Sequence, residues 1–162
     1  MTTQTTPIRV LFVCLGNICR SPMAEAVFQK IVADAGLERR FEIASVGTGA
    51  WHVGERPHPG TQAVLQRYNV PLRSEKRAQR LRQEDLETYD YIIAMDGENV
   101  QDIERYRAAL NGKLVRLLEF ASSTAPRDVP DPYYTQGFDQ VYNLVLDGCM
   151  GLLEHIRGQR QI

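Results

Sequence analysis

Residues 8–24, IRVLFVCLGNICRSPMA, decide the fold. Ile8, Val10, Leu11, Phe12 and Val13 make a nearly unbroken apolar run, which suits a parallel strand covered on both faces. Ser21 followed by Pro22 reads as a helix cap with proline at the first helical position, where its missing N–H is no loss. Met23, Ala24, Ala26, Val27, Ile31 and Val32 then supply an apolar helical stripe. Between strand and helix lies a short loop bounded by Cys14 and Arg20. It contains Gly16 and Asn17, both tolerant of positive φ.

A loop of that shape has a chemical use. The N–H groups of Leu15, Gly16, Asn17, Ile18, Cys19 and Arg20 can curl into a nest, and the helix dipole adds positive potential, which together suit a phosphate-like dianion. Arg20 offers a planar fork to two of its oxygens. Thiols at helix N-termini beside cations ionise more readily than free thiols, so Cys14 is expected as a thiolate. Such a sulfur is placed for in-line attack on phosphorus, giving a thiophosphate while the N–H groups and Arg20 hold the equatorial oxygens. Cysteine is often a plain core residue, and Cys-x5-Arg alone is a moderate signal. The strand before it and the Ser-Pro start after it favour the phosphate loop.

Working outward, Gly36 ends the first helix and residues 41–46 form a second strand. A glycine-rich loop, GTGAWHVG at 47–54, leads past Pro57, Pro59 and Gly60 to a helix over about 61–68. Residues 75–87 carry mixed charge and read as a solvated face. A third strand is expected at 91–95, a polar helix at 99–110 and a fourth strand at 113–118. Pro126, Pro130 and Pro132 make 122–136 a surface loop that is neither helix nor central strand. Apolar residues at helical spacing from Phe138 to about Ile156 predict a long last helix. Alternating strands and helices imply a doubly wound parallel α/β sheet with its ligand site at the carboxyl ends of the strands.

The 162 residues suit one domain, expected at 8–158 with a flexible tail at 1–7 and a short one at 159–162. A net charge of −1 argues against nucleic acid or acidic membranes as partners. No apolar run is long enough for a membrane span and residues 1–7 lack signal-peptide character, so a cytoplasmic protein is expected. Three irregularly spaced cysteines form neither a disulfide framework nor a zinc set, and no metal or cofactor is expected.

The segment from Val13 to Pro22, VCLGNICRSP, resembles the signature of the low-molecular-weight protein tyrosine phosphatases. The resemblance implies a flavodoxin-like four-stranded sheet and a bacterial-type member, with a monomer expected to act on phosphotyrosine proteins or small aryl phosphates. A phenolate leaving group has a pKa near 10, so an acid is wanted nearby. Asp131 in Asp131-Pro132-Tyr133-Tyr134 is the candidate: Pro132 biases it towards extended backbone, and the two tyrosines offer flat pocket walls. Asp-Pro-Tyr-Tyr is the family's other hallmark, which implies that Asp131 is general acid and later base. Asp128 is the runner-up. Trp51 matches an aromatic pocket wall; Asn17, Ser21 and Ser45 match residues that brace the loop. His52 and His155 read as incidental. Cys19 could capture an oxidised Cys14 as a disulfide, as the resemblance also suggests, or be a small buried residue.

There are departures from the pattern. Glu75 follows Ser74 where many members carry histidine, His58 replaces a helix-capping aspartate, and Thr135 replaces a glycine. A thioredoxin-coupled arsenate reductase would need two further cysteines that 74–95 lacks, and Cys149 is isolated. A catalytically dead phosphate-binding module, or a flavin-phosphate binder, would need neither Cys14 nor Asp131.

Overall fold

A computed structural model describes residues 6–106, 110 and 112–162. Strands β1 (Ile8–Cys14), β2 (Phe41–Gly47), β3 (Tyr91–Ala94) and β4 (Leu114–Arg116) form one sheet in the order β2-β1-β3-β4. All pairings are parallel, with Ile8 opposite Phe41 and Cys14 opposite Gly47. Both faces of β1 are buried, as its apolar run demands. Val10 and Phe12 join one core with helices α1 (Arg20–Asp34), α2 (Pro59–Arg67) and α6 (Phe138–Arg160). Leu11 and Val13 join a second with Leu86 of α3 (Gln83–Thr88) and Ile103 of α4 (Gly97–Tyr106). This is the doubly wound α/β fold that the alternation of elements predicts, in the flavodoxin-like four-stranded form that the family resemblance implies.

The chain leaves β1 for β2 on one side and returns to β3 on the other. The carboxyl end of β1, which carries Cys14, therefore lies at the topological switch point, where open α/β sheets leave a crevice. After β4 the chain coils into a turn of 3-10 helix at Leu117–Phe120 that packs against α6. Contact there is so close that a Cβ on Gly151 would lie 1.7 Å from the Phe120 carbonyl oxygen.

Several expectations shift. α1 starts at Arg20, its cap position is Cys19, and no side chain caps it, so Ser21 is not the N-cap. The Ser21 hydroxyl is engaged instead with Cys14 and Asn17. The proline-rich segment contains a short helix, α5 (Pro132–Thr135), with Asp131 as its cap and Pro132 at the first position. The same rule wrongly applied at Ser21-Pro22 holds here. Residues 75–87 are not simply a solvated face: Lys76, Ala78, Leu81 and Asp85 are buried, and α3 begins within the segment. The fourth strand is shorter than expected because 117–120 coils, and α6 continues to Arg160, past the start of the expected tail. The expected helix at 99–110 is seen as α4, and residues 107–109 lie outside the described residues, as do 1–5 of the expected tail.

Candidate active site

Cys14 ends β1, and the loop 15–19 turns tightly into α1. The turn requires Asn17 at φ 55°, a left-handed conformation that asparagine tolerates. Its carbonyl groups are pinned from outside the ring. Thr48 N–H donates to the Cys14 carbonyl at 2.9 Å, Gly49 N–H to Leu15 at 2.9 Å and His58 N–H to Ile18 at 2.7 Å. The Thr61 hydroxyl donates to the Cys19 carbonyl at 3.1 Å. With the carbonyls held outward, the peptide planes turn their N–H groups inward. Among the described residues the N–H groups of Gly16, Ile18 and Cys19 have no protein acceptor, which leaves them for an anion. Gly47 permits this arrangement, since a Cβ there would stand 2.6 Å from the Leu15 carbonyl oxygen.

The Cys14 sulfur accepts the Asn17 N–H at 3.3 Å and lies 2.9 Å from the Ser21 hydroxyl. One expected phosphate donor, the Asn17 amide, therefore serves the sulfur. Asn17 Nδ2 donates to the hydroxyls of Ser21 at 2.8 Å and Ser45 at 2.9 Å, so the three expected bracing residues form one buried cluster. Cys19 is buried, and burial together with the Cys14 charge pushes its thiol up to about 12. Cys149 is buried in the core, burial again raising its pKa, and its thiol faces the Ala24 carbonyl at 3.8 Å.

Arg20 is the buried cation of the site. It donates to Asp96 and, at 3.0 Å, to the Val129 carbonyl, and its second nitrogen lies 3.6 Å from Asp131 Oδ2. Burial works against its charge, but the Cys14 sulfur, Asp96 and Asp131 outweigh it and raise its pKa. Asp131 Oδ1 accepts the Tyr133 N–H at 3.0 Å, which fixes the carboxylate at the head of α5 with Oδ2 towards Arg20. Asp128, the runner-up acid, is spent on Gly97 N–H and Arg116, each at 3.1 Å.

Cys14, Leu15, Gly16, Ile18, Cys19, Arg20, Trp51, Asp131, Tyr133 and Tyr134 line a single cavity of about 310 Å³ with His52. Trp51 stands 74% exposed at its mouth. His52 is therefore not incidental. Its ring covers Gly16, its centroid is 5.9 Å from that of Tyr133, and its Nδ1 pairs with Glu55 at 2.7 Å. His58 caps α2 by accepting the Gly60 N–H at 2.9 Å, doing the work of the aspartate it replaces. His155 lies far from the cavity, against Phe120.

Sequence reasoning misses the part that four residues take at or beneath the site. Asp96 follows β3, the neighbour of β1, so the strand-end rule points at it. Glu25 is a carboxylate on the apolar stripe of α1, and Lys76 reaches under the loop to it. His52 adjoins Trp51. Among the described residues no cluster of three metal-ligating side chains occurs, and no helix is long and apolar enough to cross a membrane.

Residues 9–162 match the family model for low molecular weight phosphotyrosine protein phosphatase. The chain is 44% identical over 156 residues to YfkJ of Bacillus subtilis, a low molecular weight protein-tyrosine-phosphatase, covering 96% of this chain and 99% of that one. It is 46% identical over 149 residues to PtpA of Staphylococcus epidermidis, of the same description, covering 92% and 94%. The crystal structure of YfkJ superposes with a TM-score of 0.93, covering 97% of this chain and 99% of that one at 43% identity. A tyrosine phosphatase from Entamoeba histolytica superposes at 0.88 with 29% identity, covering 94% and 99%. With a nest of inward N–H groups over a cysteine at the switch point, and this likeness along nearly its whole length, the chain belongs to the low molecular weight phosphotyrosine protein phosphatase family.

Proposed function

We propose that the protein hydrolyses phosphotyrosine and related aryl phosphate monoesters through a phosphocysteine on Cys14. In the first step the Cys14 thiolate forms an S–P bond as the P–O bond to the aryl group breaks, and Asp131 gives its proton to the departing phenolate oxygen. The inward N–H groups and Arg20 hold the three equatorial oxygens throughout. In the second step Asp131, now a carboxylate, takes a proton from water as the water oxygen attacks phosphorus. The P–S bond breaks, the thiolate returns and inorganic phosphate leaves. Trp51, Tyr133 and Tyr134 form the aromatic walls of the cavity.

The observation that carries this reading is the shared cavity: sulfur, guanidinium and carboxylate face one space large enough for an aryl phosphate. The protein is read as a cytoplasmic, single-domain monomer whose partners are phosphotyrosine proteins or small aryl phosphates. Its need for a reduced thiol supports a reducing compartment. Cys14→Ser is expected to abolish turnover of an aryl phosphate while inorganic phosphate still binds; full activity would exclude the mechanism. Asp131→Ala is expected to cost about 10²–10⁴-fold with poor leaving groups and much less with good ones. Equal losses would place the acid elsewhere.

A further inference from the structure

A second cavity, of about 410 Å³, opens beside the catalytic one, and Leu15 and Trp51 line both. The Trp51 ring lies so close over Gly49 that a Cβ there would stand 2.0 Å from it. The two cavities therefore form one cleft, with the indole as its partition.

Beyond that partition the lining is charged. Arg80, Asp102 and Arg105 all face the second cavity. Arg105 donates to Asp102 Oδ1 at 2.8 Å, so these two balance each other. Arg80 is not balanced: its Nε donates to the Tyr106 hydroxyl at 3.2 Å, and among the described residues no carboxylate pairs with it. The Tyr106 hydroxyl in turn donates to the Thr48 carbonyl at 3.4 Å, which holds the phenol and, through it, the guanidinium. With Nε spent, the two terminal nitrogens of Arg80 remain, and their N–H groups can take both oxygens of a carboxylate.

The backbone places this cation near the chemistry. Gly47 N–H donates to the Gln79 carbonyl at 2.8 Å and Leu81 N–H to the Gly47 carbonyl at 2.7 Å, which makes Arg80 one more parallel rung beyond β2. Gly47 is itself opposite Cys14. Two rungs of about 4.8 Å put the Arg80 backbone about 10 Å from that of Cys14. An extended peptide advances about 3.4 Å per residue, so about three residues cover the span.

We propose that the second cavity is a substrate subsite, in which Arg80 takes the carboxylate of an aspartate or glutamate close in sequence to the phosphotyrosine while the peptide crosses over Trp51. The inference deepens the function proposed above and rests on it. A small aryl phosphate ends at Trp51 and leaves Arg80 untouched, so the two kinds of substrate separate the subsite from the chemistry.

The test compares kcat/KM, at low ionic strength, for a neutral phosphotyrosine peptide and for relatives that carry a single glutamate at each nearby position on either side. The parent is expected to favour at least one glutamate peptide by about fivefold, the upper reach of an exposed ion pair. Arg80→Gln is expected to bring that preference below about 1.5-fold, and Arg80→Glu to turn it into a preference for lysine at the same position. Both variants should turn over a small aryl phosphate within about twofold of the parent, since they change an exposed side chain. A parent with no preference above about 1.5-fold at any position overturns the proposal, as does a preference for glutamate that survives either substitution. Equal losses on aryl phosphate and peptides would make Arg80 structural and overturn it too. A parent that hydrolyses neither kind of substrate sinks the functional reading and this one with it, whereas an active parent indifferent to glutamate sinks this one alone.

Discussion

Replacing Asp96 by alanine should destabilise the protein by about 4 kcal/mol in phosphate-free buffer, and the structure divides that cost in two. Asp96 Oδ1 accepts the Asn99 N–H at 2.8 Å and so caps α4; losing a cap costs about 1 kcal/mol. Asp96 Oδ2 accepts from Arg20, whose side chain is 3% exposed against 18% for Asp96. Breaking a buried pair by removing one partner costs about 3–5 kcal/mol. The low end applies, because the Val129 carbonyl and Asp131 stay beside Arg20. Asp96→Asn keeps the cap and a neutral acceptor, so about 2–3 kcal/mol is expected for it. Urea unfolding with and without inorganic phosphate is the assay. Phosphate returns a negative charge to Arg20 and should rescue the variants more than it stabilises the parent, ligand at a hundredfold its Kd being worth about 2.7 kcal/mol. A loss below about 1 kcal/mol in Asp96→Ala, or equal stabilisation of parent and variant by phosphate, would refute the reasoning.

Gly151→Ala is expected to cost about 2–3 kcal/mol in thermal or urea unfolding, because the new methyl meets the Phe120 carbonyl. Gly158→Ala, on the same helix with open space around it, should gain up to about 1 kcal/mol. Trp51→Ala should raise KM for an aryl phosphate by roughly 3–10-fold without lowering the melting temperature, since the ring is exposed over the cavity; a clear loss of stability would show that it packs instead. The Cys19 thiol has its pKa raised on folding from 9.0 to about 12, so its contribution is complete below pH 9 and fades as pH rises towards 12. Cys19→Ala should therefore flatten the alkaline fall in stability relative to the parent, and an unchanged slope would count against that burial.

The central strand and its loop were legible because a strand covered on both faces must be apolar throughout, and Val10 to Val13 satisfy that without outside help. The cavity residues were legible for a related reason: Cys14, Arg20 and Asp131 are chemically costly choices unless they meet. Ser21 was misread because a hydroxyl before proline looks the same whether it caps a helix or turns inward, and only the presence of Asn17 and Cys14 decides. The charge-dense stretch hid Lys76 because its burial depends on Glu25, distant in sequence and brought near by the packing of α1 on the sheet. Asp131-Pro132 had the same local grammar as Ser21-Pro22, yet the weight of three prolines obscured the single helical turn that it starts.

Asp131 uses one oxygen to anchor the backbone of Tyr133 and keeps the other on the side of Arg20. The anchor is a main-chain amide, indifferent to which side chain follows. With Asp131 as the proposed proton donor and Tyr133 and Tyr134 as the proposed pocket walls, the rings at 133 and 134 can be exchanged while the carboxylate stays where it is. Recognition is free to drift, and the chemistry is not.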